Sequence, residues 1–190
     1  CGRCDMCTAG DTHLCDNATQ LVGWQRDGGY AEYVAIPEQC ALAVPDDIPD
    51  TLAPLLLDTI GTPAHGIRLA RKIVQQGPIA IIGAGPIGLG AVLAASPLGF
   101  PDRYITDPKS HRLHAALALG ARDLDAADAP RRFPLVLETA GVNSARQRAL
   151  ELTAPGGVCV FLGESDRWEI EEVKAIRRKD FFIARSFYFP

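Results

Sequence analysis

Four of the first fifteen residues are cysteine, placed as Cys1, Cys4, Cys7 and Cys15 in the pattern C-x2-C-x2-C-x7-C. Thiols at this density suit a soft metal ion. A tetrahedral Zn²⁺ takes four thiolates at about 2.3 Å. Ligands this close in sequence can turn back on one ion, and the longer gap lets a loop close the fourth corner. Two disulfides or a redox switch are the rival arrangement, and an iron–sulfur cluster shares the spacing. Against the disulfides, three crowded cysteines pair poorly and no secretory signal points to an oxidising compartment. A Cys4 set leaves no open coordination position, so zinc here would be structural, standing in for an apolar core in a small polar lobe. The other two cysteines, Cys40 and Cys159, sit in apolar stretches and read as core residues of strands.

The second chemical constellation is GAGPIG, running from Gly83 to Gly88. It fits G-x-G-x-x-G directly after the apolar run IAII, where the dinucleotide fingerprint belongs. Gly83 permits the tight turn, Gly85 lets a pyrophosphate approach the backbone, and Gly88 lets helix and strand pack closely. Pro86 suits the first helical turn and Ile87 follows it there, beside N–H groups that favour phosphate. Asp107 lies nineteen residues after Gly88 and ends RYITD, the place for a carboxylate that accepts ribose hydroxyls. A 2′-phosphate there would meet like charge, which favours NAD over NADP. Asp107 also reads as a cap for the next helix, with Pro108 at its first position. Arg112 reads either as a neighbour of the adenosine or as a solvated helix charge.

The elements that must hold these residues fall into two textures. Residues 1–20 read as a loop lobe, and residues 28–44 as strands interrupted by Pro37. A helix is expected in the second half of LAPLLLDTIGTPAHGIRLA. From Pro78 on, strands alternate with helices: IAIIG, then a helix over 87–95, RYIT, a helix over 110–119 stopped at Gly120, LVLE, a helix over 144–152, GGVCVFLG, a charged helix over 169–178, and FFIARSFYF as a last strand. Such alternation predicts a parallel sheet covered on both faces. The textures change near residues 58–66.

Hydrophobic residues make up 47% and charged residues 22%, a globular composition. The net charge of −4 and the lack of a Lys/Arg run argue against a nucleic-acid partner. The uncharged run over residues 77–101 is long enough to span a bilayer, but its glycines and prolines favour a buried strand, turn and helix over a membrane helix. Cys1 rather than Met at the start, and the apolar FFIARSFYFP at the finish, read as an internal piece of a longer protein.

Taken in order, the cysteine lobe, GGYAEYV, LLLDTIGTPAHG and GAGPIG resemble the zinc-dependent medium-chain alcohol and polyol dehydrogenase family, over nearly all of the chain. The resemblance implies an α/β protein with a Rossmann-type parallel sheet and a partial, β-rich GroES-like catalytic domain carrying the zinc lobe. The domains would be residues 1–60 and 61–190. It further implies that Cys1, Cys4, Cys7 and Cys15 hold a structural zinc. Asp58, four residues before Thr62, stands where the family places the third protein ligand of its catalytic zinc; its other reading is a helix cap. Thr62 would face the nicotinamide, and Ala140, Gly141, Leu162, Gly163, Ser186 and Phe187 would line that side of the cleft. His65 is not a ligand position in the family and reads as a packed or hydrogen-bonded histidine. No chemistry is assigned to His13, His111 or His114. Two departures stand out. The family's Cys and Gly-His-Glu ligands lie upstream of the cysteine lobe and are not in this sequence, and Arg185 replaces a small residue.

The activity so implied is zinc-assisted, NAD-dependent interconversion of a small-molecule alcohol or polyol and its carbonyl. The resemblance also suggests a cytoplasmic homodimer or homotetramer with neither membrane nor nucleic-acid partner. Two other readings stay open: a dinucleotide- and zinc-binding module without catalysis, and a zinc-ribbon-like interaction protein.

Overall fold

The computed structural model describes residues 1–18 and 21–187, which fall into two compact units that divide between Ala53 and Pro54. In the first unit, helix α1 (Asp5–Thr8) and a 3₁₀ turn (Thr12–Leu14) carry the cysteine lobe. No described residue of this unit is a buried hydrophobic.

The strands expected over residues 28–44 are not formed. That segment holds a single 3₁₀ turn, Glu38–Cys40, and the nearest pairing is an isolated bridge between Val22 and Arg26. Alternating apolar side chains give a strand only when a neighbouring strand takes up the backbone N–H and C=O groups. No such neighbour pairs with the segment among the described residues, and Tyr30, Tyr33 and Val34 are exposed. Cys40 accordingly sits on an exposed 3₁₀ turn, not in a buried strand.

The second unit is a six-stranded sheet: β1 (Ile79–Ile82), β2 (Arg103–Thr106), β3 (Arg122–Asp123), β4 (Phe133–Glu138), β5 (Thr153–Phe161) and β6 (Phe182–Arg185). Every pairing is parallel, and the order is β3-β2-β1-β4-β5-β6. This is the doubly wound dinucleotide-binding order, with its switch point between β1 and β4. The sheet has helices on both faces, as the alternation of elements predicts. Ile79 and Ile81 of β1 face one core with Leu135, Leu137, Val158 and Val160. Ala80 and Ile82 face the other with Val136, Cys159 and Phe161. Because β1 is buried on both sides, IAII reads as an unbroken apolar run rather than an alternating one.

On the first face pack α3 (Thr62–Ala70), α4 (Pro86–Ala95) and α5 (Ser110–Ala118); on the second packs α6 (Asn143–Leu152). The uncharged run over residues 77–101 therefore forms a strand, turn and helix, and no described helix is long and apolar enough to cross a membrane. Preceding α3 are a short helix, α2 (Ala53–Leu55), and a π-helical stretch, Leu56–Gly61.

The charged helix expected over 169–178 is confined to α7 (Lys174–Arg177). The residues before it are drawn along α6 by side chains that capture their backbone: Glu169 N donates to Asn143 Oδ1 at 3.0 Å, and Glu171 N to Gln147 Oε1 at 3.1 Å. These bonds compete with helix formation. Strand β6 is also shorter than FFIARSFYF, whose last two residues lie outside the described residues.

Helix α4 lies against the π-helical stretch at backbone distance. A Cβ on Gly90 would stand 1.7 Å from the Thr59 carbonyl oxygen. Gly90→Ala should therefore push α4 off that stretch and destabilise the protein by about 1–3 kcal/mol, read as a lower urea midpoint. An unchanged midpoint would mean that the contact yields without cost.

Candidate functional site

The turn after β1 has the shape that its glycines suggest. Gly83 takes φ +107°, a left-handed conformation, and a Cβ there would press on Thr139 Oγ1 at 2.9 Å. A Cβ on Gly88 would stand 1.9 Å from the Gly83 carbonyl oxygen, so helix and turn touch backbone to backbone. Gly85 differs: a Cβ there would meet nothing within 4 Å, which leaves open space above the turn. Pro86 is in the first turn of α4, whose leading N–H groups have no partner inside the helix. Thr139 Oγ1 donates 3.0 Å bonds to the carbonyls of Ile82 and Gly83 and so fixes this turn to the end of β4.

These residues border a crevice of about 730 Å³ at the carboxyl ends of β1, β2 and β4. Gly83, Gly85 and Pro86 line it from one side, Asp107, Lys109 and Arg112 from another, and Thr139 and Ala140 from a third. Asp107 does not cap α5. That helix begins at Ser110 with Lys109 in the cap position and no side-chain cap, so Pro108 precedes it. Instead Asp107 Oδ2 accepts the Ala84 N–H and Oδ1 the Lys109 N–H, both at 2.8 Å. Each oxygen keeps a lone pair for a further donor. Arg112 is exposed at the crevice.

Deeper in the sheet lies a group that the sequence reading passed over. Glu138, the last residue of β4, is completely buried. Its Oε1 accepts the Ala140 and Gly141 N–H groups at 2.7 and 2.6 Å, and its Oε2 lies 3.7 Å from Arg146 Nε. Burial pushes this carboxyl above the ordinary carboxylate range, against the opposing pull of those two N–H groups and of Arg146. The signal was present in the sequence: an acid closing an apolar strand, followed by Thr-Ala-Gly and, eight residues on, an arginine in a helix. Near the other end of the run, Leu162 and Ser186 are buried, and Phe187 is exposed. Ser186 N donates to the Phe161 carbonyl at 3.2 Å. Arg185 is engaged as well, donating from Nη1 to the same carbonyl at 3.0 Å and lying 3.9 Å from Glu164.

Asp58 sits in the π-helical stretch and Thr62 opens α3. The Thr62 hydroxyl donates to Asp58 Oδ1 at 2.7 Å, which leaves Oδ2 available. His65, half-buried on α3, belongs to no metal-competent cluster among the described residues.

In the lobe, the sulfurs of Cys1, Cys4, Cys7 and Cys15 all lie within 4.8 Å of one another, and this is the one such cluster among the described residues. The Cys4 and Cys15 sulfurs are 3.9 Å apart and all six cysteines are free thiols, so no disulfide joins them. Four thiolates about 2.3 Å from one tetrahedral ion would be about 3.8 Å apart. The donor set and its spacing thus fit a single zinc. The Gly2 N–H, pointing at the Cys7 sulfur, is the largest cause of a lowered thiol pKa there, which favours the thiolate a metal needs. Buried Cys159, by contrast, has its thiol pushed up to about 12.

The alcohol dehydrogenase GroES-like domain family matches residues 1–46. An L-threonine 3-dehydrogenase of Shewanella woodyi is 38% identical over 175 residues, covering 86% of this chain and 50% of that protein. The galactitol-1-phosphate dehydrogenase of Escherichia coli superposes with a TM-score of 0.85 at 27% identity, covering 100% of this chain and 58% of that one. These likenesses bear out the resemblance to the zinc-dependent medium-chain alcohol and polyol dehydrogenase family. A structure from Sinorhizobium meliloti 1021 bound to NADP also superposes on this chain, with a TM-score of 0.84 at 29% identity, covering 100% of it and 59% of the other. The chain spans half the length of the curated relatives it matches.

Elemental analysis should find about one zinc per chain held by the lobe. With the metal in place, one thiol, the exposed Cys40, should react promptly with a thiol reagent at mildly alkaline pH. A chelator should raise that to five, with buried Cys159 still silent. Five prompt thiols in the zinc-loaded protein would show that the metal sits elsewhere.

Proposed function

We propose that this chain is the cofactor-binding and structural-zinc portion of an NAD-dependent alcohol or polyol dehydrogenase. The observation that carries the reading is the open space above Gly85, at the switch point of the sheet, with the Asp107 carboxylate at the end of the next strand. Bound in this enzyme, the nicotinamide supplies the hydride-accepting ring and a catalytic zinc the Lewis acid for the substrate hydroxyl.

The chain's own residues have separable tasks in this reading. The turn Gly83–Gly88 and the first N–H groups of α4, at Ile87 and Gly88, receive the diphosphate. Asp107 accepts hydroxyls of the adenosine ribose, and Arg112 borders the adenine side. Ala140, Gly141, Leu162, Gly163, Ser186 and Phe187 line the nicotinamide side and exclude water. Thr62 holds its proton on the bond to Asp58 Oδ1, and this bond orients the carboxylate while leaving Oδ2 to serve as a zinc donor. Cys1, Cys4, Cys7 and Cys15 hold the structural ion. The domains in this reading are the lobe-bearing residues 1–60 and the cofactor-binding residues 61–190. The open edge of β6, with Phe182 and Ile183 exposed, is the surface on which a homodimer or homotetramer would pair. Free metal-binding thiols suit a reducing compartment such as the cytoplasm.

The second reading, a dinucleotide-binding module without catalysis, draws on the same crevice and on Asp58 standing outside any described metal cluster. Binding and turnover, measured together on the zinc-loaded chain with NAD and a panel of alcohols and polyols, separate the two. Binding with turnover supports the dehydrogenase, and binding with no turnover supports the module. Failure to bind either dinucleotide sinks both.

Asp107→Ala should weaken NAD binding by about tenfold, the worth of a hydrogen bond to a charged acceptor. NADP should be affected much less, because its 2′-phosphate loses a repulsion at the same time. Titration calorimetry with both cofactors checks this. Equal losses would reduce Asp107 to its bonds with Ala84 and Lys109.

A further inference from the structure

The buried pair Glu138–Arg146 has no part in the chemistry described above, yet it ties together two loops at the carboxyl edge of the sheet. The Glu138 carboxylate holds the first loop, through the N–H groups of Ala140 and Gly141. Its backbone carbonyl holds the second, accepting from Leu162 N at 2.8 Å and Gly163 N at 3.1 Å. Arg146, whose side chain is 7% exposed, closes the link from below. Its Nη2 donates to the Gly163 carbonyl at 2.9 Å and its Nη1 to the Arg167 carbonyl at 3.2 Å.

The loops themselves meet without side chains. A Cβ on Gly163 would stand 2.2 Å from Gly141 N, and Gly141 adopts φ +72°. At the point of contact neither glycine supplies a side chain to lock it, so its register leans on the charged pair beneath. A buried ion pair is a poor source of stability. Its desolvation cost rivals its attraction, and apolar residues of the same volume serve a core as well or better. Here Glu138 Oε2 and Arg146 Nε find no hydrogen-bond partner among the described residues, which raises that cost. What the pair delivers is position: one carboxylate, one carbonyl and one guanidinium fix backbone groups of both loops.

We infer that Glu138 and Arg146 are positioning residues for the nicotinamide end of the cofactor, acting through the Ala140–Gly141 and Leu162–Gly163 backbones. The diphosphate end, held by the turn after β1, does not depend on them. This inference rests on the dinucleotide reading above.

The test separates the two ends of the cofactor on the whole zinc-loaded chain. Affinity for ADP-ribose reports the diphosphate end. The fluorescence gain of the reduced nicotinamide of bound NADH reports the other. In Arg146→Met, and in Glu138→Gln should the first variant lose its cooperative unfolding, ADP-ribose affinity should stay within about twofold of wild type. The nicotinamide fluorescence gain should be largely lost. Arg146→Lys keeps the charge but cannot bridge the Gly163 and Arg167 carbonyls, so it should fail to restore the signal. A parallel loss of ADP-ribose affinity would make the pair a general fold element and overturn the inference, as would an unchanged nicotinamide signal in a folded variant. A wild-type chain that binds no ADP-ribose would instead overturn the dinucleotide reading itself, and the inference with it.

Discussion

The carbonyl oxygen of Gly83 occupies the space that a side chain on residue 88 would need, and much of the second unit is arranged around that contact. Because α4 approaches the turn after β1 at backbone distance, its first N–H groups point at the open space over Gly85 instead of into protein. The same helix meets the Thr59 carbonyl two residues further on, at Gly90. Two glycines of one helix, on opposite sides of it, thus set its distance from both the glycine turn and the stretch that bears Asp58 and Thr62. Larger residues would not merely loosen the packing. They would shift the two groups in the same movement.

Where an element is fixed by its own backbone needs, the sequence reveals it. The glycine turn is legible because only a residue without Cβ tolerates φ +107° at position 83 or the close approach at position 88. The apolar run IAII is legible because burial on both faces leaves no polar position. The failures have a common cause of the opposite kind. Residues 28–44 have the alternation of a strand, but pairing is a relation with another segment, and alternation does not say whether that segment is there. Residues 169–173 have helical composition, but Asn143 and Gln147 compete for their backbone from a helix some twenty-five residues away. The alternative reading of Asp107 as a helix cap misses that its two oxygens accept from Ala84 and Lys109, the first of these a long-range bond. Local patterns disclose local constraints, and the partner of a polar group is seldom local.

The pair Glu138–Arg146 illustrates this at the site itself. A glutamate closing LVLE reads as an ordinary strand end, because strand ends are commonly wet. What makes it unusual is total burial, and burial follows from α6 folding back over the end of β4. Once there, the acid has no water, and the amides of Ala140 and Gly141 and the guanidinium of Arg146 must stand in for it. The loops are ordered because a charge has been denied solvent. An electrostatic penalty becomes a geometric constraint on whatever the loops line.

The two units are held by different physics. The second has a sheet packed on both faces by apolar helices, with Ile79, Ile81, Leu135 and Leu137 wholly buried, and needs no external group to define it. The first has no buried hydrophobic among its described residues, and its one convergent feature is four sulfurs within 4.8 Å of each other. Four such thiolates without a cation would repel one another, so their convergence stabilises the lobe only when a positive ion is shared between them. The energy that apolar burial supplies in the sheet must therefore come, in the lobe, from metal–thiolate bonds. Free zinc and pH, which act on the thiolates, then govern the order of the lobe, whereas the glycine turn after β1 is set by backbone contacts on which neither acts.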